Sequence, residues 1–463
     1  MRKTKIVATV GPSSFDLDVL KKLSDLDVNC FRINTAHGDF DQYESIINKI
    51  RDVSDAPIMI DIKGPEIRIR LSQDLNILKN TTHTFDFKKG DLPYFSYNFY
   101  KEISIGDRVF FDNGNLYGKI TKKEEGKIKI KFFDDYILKQ NKGVNIPNAS
   151  LKIPSLSKKD VEAVEFALNH NIEYIALSFV RSKQDILDLK ELIGELDVGI
   201  ISKIENWEGV KNIDEIIDNS DGIMVARGDL GIELEEEKIP LIQKEIITKT
   251  NQKAKISIVA TQMLESMVEN KTPTRAEISD VANAILDGAD AIMLSGETAA
   301  GKYPVHSVKV MDKVAVEVEN KVKPTIDFNI PGDLSEELSK SAYDLMFRIK
   351  ADKLVTITRS GYSARLISRF RFRNPVISVT DDSLTHRKSK LVWGVKSVLV
   401  DTVPVSAMIT MVSLDLLEKK EIKESDNIVF FAGVKTNQEQ VSNLVEVHGI
   451  KDLMDYHKKV SKK

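Results

Sequence analysis

Eight short segments rich in isoleucine and valine recur along the first two thirds of the chain: KIVATVG (5–11), CFRIN (30–34), IMIDIKG (58–64), YIALSFV (174–180), GIISKIE (199–205), GIMVARG (222–228), ISIVATQM (256–263) and AIMLSGE (291–297). As strands they are apolar on both faces, which suits a sheet covered on both sides rather than one with a wet face. Between successive segments, the third interval apart, lies one helix-length stretch with plausible caps. Eight strand-helix units of this kind predict a parallel sheet closed on itself, an eightfold (β/α) TIM barrel.

The third interval breaks the rhythm. After Gly64-Pro65 the pattern turns to short alternating strands with turn signals, as in FFDNGNLYGKI (110–120) and KIKIKFF (127–133), until a helix resumes near SKKDVEAVEFALNH (157–170). Residues 69–154 are therefore expected to form an inserted small β-barrel lid domain, with the barrel in 1–68 and 155–330. The insertion springs from the carboxyl end of a strand, where barrels of this type place their active sites. After the expected last barrel helix, HSVKVMDKVAVEVEN (306–320), and a linker at TIDFNIPGD (325–333), the segments KLVTITRS (353–360), PVISVT (375–380), VKSVLV (395–400) and NIVFFAG (427–433) predict a C-terminal open α/β domain over 331–463. A length of 463 residues accords with several domains.

Composition narrows the function classes. A net charge of −3 with well-mixed signs argues against a nucleic-acid-wrapping surface. The basic run His457–Lys463 reads as a solvated tail. No stretch reaches the roughly 18 apolar residues of a membrane span, and the apolar run after the basic start is too short for a signal-peptide core, so a cytoplasmic chain with no membrane partner is expected. The single Cys30 permits no internal disulfide and lies in an apolar strand as core.

If the barrel closes, polar residues at the carboxyl ends of its strands meet in one cavity. They are Arg32 and Asn34, Asp61 and Lys63, Lys203 and Glu205, Arg227 and Asp229, Thr261 and Gln262, and Ser295 and Glu297. Repeated charge at that end reads as function; a ring of salt bridges closing the barrel is the plainer alternative. Strand side chains alternate, so Lys203 and Glu205 are expected on one face. Glu205 and Asp229, with no His or Cys nearby, suit Mg²⁺ or Mn²⁺, ions that fill their remaining positions with water and substrate oxygens. Arg32, Arg68, Lys203 and Arg227 supply positive charge for a phosphorylated or carboxylated substrate. In ARGDLGIE (226–233), Gly228, Asp229 and Gly231 could aim backbone N–H groups at a carboxylate, although such a segment is also an ordinary turn.

The motifs FRINTAHG (31–38), DIKGPEIR (61–68), SKIENWEGV (202–210), DGIMVARGDLGIE (221–233), ATQMLESM (260–267), TPTRAEISDVANAILDGADAIMLSGETA (272–299) and SGYSAR (360–365) occur in the order found in the pyruvate kinase family, which the chain resembles over essentially its whole length. The resemblance implies phosphoryl transfer from phosphoenolpyruvate to ADP, followed by protonation of enolpyruvate, in the last step of glycolysis. It implies Glu205 and Asp229 as Mg²⁺ ligands, and Lys203 as the charge at the transferring phosphoryl and enolate oxygen. Arg32 becomes the phosphate arginine, while Gly228, Asp229 and Thr261 become carboxylate contacts, Thr261 lying near a proton path that involves Ser295 and Glu297. Asn34, His37, Arg68 and Lys159 match nucleotide-side positions. Asn34, Asp61 and the Ile62 carbonyl match ligands of a K⁺ site, where Ala36 replaces the family's usual serine and Glu66 is the residue associated with potassium-dependent members. Asn148 stands in place of a usual glycine near the lid hinge. Thr358, Ser360 and Ser363 match a pocket for a phosphorylated allosteric effector, but FAGVKTNQEQVSNLVEV (431–447) lacks the Gly-rich loop of members activated by fructose bisphosphate. A homotetramer is implied. A Mg²⁺-dependent enolate-forming lyase and a catalytically silent metabolite sensor remain as alternatives; the inserted domain and Arg68 argue against the first, and Lys203 against the second.

Overall fold

A computed structural model of the chain describes residues 2–147, 149–324, 332–402, 408–433 and 442–460. Asn148, most of the expected linker and part of the 431–447 segment lie outside them. Eight parallel strands close into a barrel: β1 Lys5–Val10, β2 Cys30–Asn34, β3 Ile58–Ile62, β4 Tyr174–Leu177, β5 Gly199–Ile204, β6 Gly222–Ala226, β7 Ile256–Ala260 and β8 Ala291–Leu294. Each pairs with its neighbours in sequence and β8 returns to β1 through Lys5↔Ala291. The two-faced apolarity of the segments has its reason here. Val7, Cys30, Met59, Ala176, Ile201, Met224, Ile258 and Met293 fill the interior, while Ile6, Ile33, Ile60, Ile175 and Ile200 pack outward against the helices.

Strand ends are shorter than the apolar segments suggest. β6 stops at Ala226 and the chain turns at once into a helix, Arg227–Glu233, so Arg227 and Asp229 stand on a helix instead of a strand. Helix starts follow the caps legible in the sequence: Asp39 caps Phe40–Val53, and Ser157 with Asp160 forms a capping box for Lys158–Asn169. The buried Asp160 also accepts a hydrogen bond from the Gly64 amide at 3.0 Å. The cap thereby ties the chain entering the insertion to the helix that follows it.

Within the insertion a seven-stranded sheet runs in the order 144–145, 108–111, 116–124, 127–132, 82–86, 94–95, 69–70. A bridge between Arg68 and Gly143 brings its two ends together. Its core is aromatic, with Phe85, Phe95, Phe99, Phe111 and Phe132 buried together. The C-terminal domain is an open five-stranded sheet, with strands 395–399, 376–380, 353–357 and 427–432 parallel and an antiparallel edge strand, Leu444–Gly449, that the sequence pattern did not indicate. This domain also plugs the barrel. Ala364, Leu391, Val392 and Val395 join the interior cluster at the amino-terminal end of the strands, and the buried Lys5 donates to the Val395 carbonyl at 2.8 Å.

Among the described residues no helix is long and apolar enough to cross a membrane.

Candidate active site

The strand order brings the carboxyl ends of β2, β3, β4 and β5 side by side, and with them the charges singled out in the sequence. Lys203 reaches Asp61 at 3.3 Å and Glu205 at 2.9 Å. The two-residue spacing of Lys203 and Glu205 therefore does put both on one side of β5. Asp61 in turn accepts from Arg32 Nε at 2.7 Å, and Arg32 Nη1 donates to the Thr9 hydroxyl at 2.9 Å. Ser178, just past β4, accepts from Lys203 at 2.7 Å and donates to Asp61 at 3.3 Å. Neither Ser178 nor Thr9 was picked out in the sequence; a lone hydroxyl in or at the end of an apolar strand was the available signal.

All of these charges are buried, so their ionisation is set by partners. Burial alone would raise the Asp61 carboxyl, but the Arg32 and Lys203 cations outweigh it and hold it below the ordinary range. Burial likewise pulls Lys203 down, and Asp61 and Glu205 more than offset it, so Lys203 stays charged. Glu205 differs. Burial, against the pull of Lys203 and reinforced by the nearby Asp229 charge, pushes its carboxyl up to about 7. Burial also raises Asp229, whose carboxyl meets that of Glu205. Two hard-oxygen groups held together at the cost of their own ionisation, with no soft ligand near, make a donor pair that fits a divalent cation such as Mg²⁺. Among the described residues no group of three or more His, Cys, Asp or Glu is placed to hold a metal ion.

Three residues at the same rim carry strained backbone. Phe179, Thr261 and Gln262 hold φ of 56°, 66° and 52°, a region costly for bulky or β-branched residues. The Phe179 turn aims its amide at Glu205 (2.6 Å), fixing that carboxylate. The Thr261 hydroxyl accepts from the Gly228 amide at 2.8 Å and donates to the Ala260 carbonyl at 2.6 Å. Arg227, expected among the substrate cations, is committed elsewhere. It pairs with Asp280 at 2.7 Å and donates to the Thr261 carbonyl at 2.8 Å, so it braces the strained turn instead of facing a ligand.

Glu297 is committed as well. Its two oxygens accept the Leu264 and Ser295 amides at 2.9 and 2.7 Å, locking the β7 and β8 loops together. The Ser295 hydroxyl beside it is buried and makes no hydrogen bond. Asn34 lies in register with Asp61 across β2 and β3, and its side-chain oxygen accepts from the Ala36 amide at 3.1 Å. Ala36 offers backbone only, so Asn34, Asp61 and the Ile62 carbonyl fit a monovalent cation less completely than with a hydroxyl there. His37 is exposed on the loop after β2, with its carbonyl accepting from Tyr43 at 2.6 Å. Lys159 is exposed on the first turn of its helix, and Arg68 stands at the base of the lid bonded to Glu66.

Thr358, Ser360 and Ser363 lie far along the fold, at the end of strand 353–357 and the start of helix Tyr362–Ser368 in the C-terminal domain. The Ser363 hydroxyl is paired with that of Ser442 at 2.7 Å.

Comparison with known proteins agrees with this geometry. The family described as "Pyruvate kinase, barrel domain" matches residues 1–308, and "Pyruvate kinase, alpha/beta domain" matches residues 336–448. The chain is 38% identical to a pyruvate kinase of Sporosarcina psychrophila and 37% identical to one of Geobacillus stearothermophilus, each alignment covering 98% of this chain and 81% of the relative. The crystal structure of a pyruvate kinase from Cryptosporidium parvum superimposes with a TM-score of 0.90 at 34% identity, covering 96% of each chain.

Proposed function

The chain belongs to the pyruvate kinase family, and from that premise we propose how its residues divide the work. It is a phosphotransferase that moves the phosphoryl group of phosphoenolpyruvate to ADP, giving pyruvate and ATP in the last step of glycolysis. The observation that carries the assignment of roles is the buried Lys203, held charged between Asp61 and Glu205 and next to the carboxyl pair.

Lys203 is the fixed positive charge where the P–O bond to the enol oxygen breaks and the new one to the ADP β-phosphate forms; preorganised charge is what this reaction chiefly requires. Arg32, oriented by Asp61 and Thr9, presents the rest of its guanidinium to the transferring phosphoryl. Glu205 and Asp229 would hold Mg²⁺ or Mn²⁺, which would supply further positive charge to a phosphorylated substrate. Gly228, Asp229 and Thr261 together take the substrate carboxylate, the Gly228 amide exchanging its bond to the Thr261 hydroxyl for one to the ligand. Thr261 then lies on the route by which a proton reaches the enolate carbon through water, with Ser295 and its unpartnered hydroxyl near that route. Glu297 holds the loop that carries it. Asn34, His37, Arg68 and Lys159 take the nucleotide, with the lid domain above them.

The division 1–68, 69–154, 155–330 and 331–463 stands as the proposed domain organisation. A homotetramer, a cytoplasmic location, no nucleic-acid partner and a phosphorylated effector at Thr358, Ser360 and Ser363 complete the reading, supported by the family resemblance. A weakened K⁺ site at Asn34, Asp61 and Ile62 follows from Ala36.

One assay tests activity and cation together. Pyruvate release coupled to lactate dehydrogenase is expected to require ADP and to rise modestly with K⁺ at saturating Mg²⁺. Release without ADP would favour the enolate-forming lyase, and equal rates with and without K⁺ would remove the K⁺ site.

A further inference from the structure

Ser150, on the segment leaving the lid, donates to Glu208 at 2.7 Å, and from the lid sheet itself Asn145 Nδ2 donates to Glu233 Oε1 at 3.0 Å. Both ends of this contact are stiffly mounted. Asn145 sits on the strand Val144–Asn145, paired with Phe110 and Phe111 of the lid sheet. Just before it, the Val144 amide bonds the Ile67 carbonyl at 2.8 Å and the Ile69 amide bonds the Lys142 carbonyl at 2.9 Å. The chain entering the lid and the chain leaving it thus form a two-stranded stalk, and Arg68 is part of it.

On the barrel side, Glu233 ends the helix Arg227–Glu233, in which Asp229 stands four residues earlier. Residues four apart share a helix face. Glu233, Asp229, Asn145 and Trp207 accordingly line one cavity of about 100 Å³ between lid and barrel. Glu233 also borders the wider cleft of about 960 Å³ on the other side. Burial pushes its carboxyl up to about 7 against the pull of the Asn145 amide, which can donate to either form. The contact therefore does not depend on the charge of Glu233.

We propose that Glu233 is a positioning residue for the phosphoryl transfer: through Asn145 it fixes the angle of the lid over the site and ties that angle to the helix bearing Asp229, a role that rests on the reading of the site given above. Glu233 need not touch substrate. Losing the contact lets the stalk swing, carrying Arg68 away from the nucleotide, while Lys203 and Arg32 stay where they are on the barrel.

An exchange of the two partners tests this. Assayed well above pH 7, where the Glu233 carboxyl is ionised, Asn145→Asp sets two carboxylates face to face, and kcat/KM for ADP is expected to fall by about 10- to 100-fold, with the KM for phosphoenolpyruvate little changed. Glu233→Gln keeps an acceptor and is expected within about threefold of the parent. The double variant Asn145→Asp with Glu233→Gln restores one donor and one acceptor in reversed order and is expected to recover to within about threefold. Trp207 emission, which reports the same cavity, should shift in the first variant and return in the double. A double variant as poor as Asn145→Asp, or an Asn145→Asp enzyme with unaltered ADP kinetics, overturns the proposal. The parent enzyme's own ADP-dependent activity separates that outcome from a failure of the assigned function.

Discussion

Lys203→Ala is expected to lower kcat by about a thousandfold or more, the scale on which removing one preorganised electrostatic group acts, multiplied here by the unpairing of its neighbours. The reason lies in where the charge sits. Lys203 is 8% exposed and bonded to Asp61, Glu205 and Ser178, so no solvent or spare cation takes its place. Lys203→Arg retains charge but not shape, and its guanidinium does not fit three partners arranged round a point. It is expected to recover only part of the loss. Circular dichroism and a thermal melt distinguish loss of catalysis from loss of fold, and a Lys203→Ala enzyme that keeps its rate would remove this residue from the chemistry.

The second large effect is on stability and lies at the opposite end of the barrel. Glu173 is completely buried just ahead of β4 and accepts from Arg51 at 2.7 and 2.8 Å, from the Ile58 amide at 2.7 Å, and from Arg387 of the C-terminal domain. Removing it leaves two guanidinium groups and a backbone donor without their common acceptor. Glu173→Ala should cost about 3–5 kcal/mol, the range for breaking one side of a buried ion pair. Glu173→Gln, which keeps an acceptor, should cost less. The midpoint of thermal unfolding reads both, and equal melting of the parent and Glu173→Ala would mean the arginines find water instead.

Both residues bear on what the sequence made legible. Period and apolarity revealed the eight strands because each is covered on two faces, and strand-end polarity revealed Arg32, Asp61, Lys203, Glu205 and Asp229 because the barrel's geometry gathers that end. Side-chain partnerships were not legible. Arg227 looked like a substrate cation, yet a bond to a carbonyl at the end of the neighbouring strand is a property of the closed fold. Glu173 was overlooked for the same reason, since Arg51, Ile58 and Arg387 all lie more than a hundred positions from it. Leu444–Gly449 escaped because an edge strand that is half-buried along its length carries no clear alternation. The plug of Leu391, Val392 and Val395 in the barrel end is likewise a contact between domains, beyond the reach of local periodicity.

That Glu205, just past β5, and Asp229, on the helix after β6, hold a divalent ion beside the enol phosphate is tested most directly by the affinity for Mn²⁺, read from the free-ion paramagnetic resonance signal. Glu205→Gln and Asp229→Asn, each nearly isosteric, should each weaken Mn²⁺ binding about tenfold or more while the protein stays folded. Unchanged Mn²⁺ affinity in both variants would contradict it.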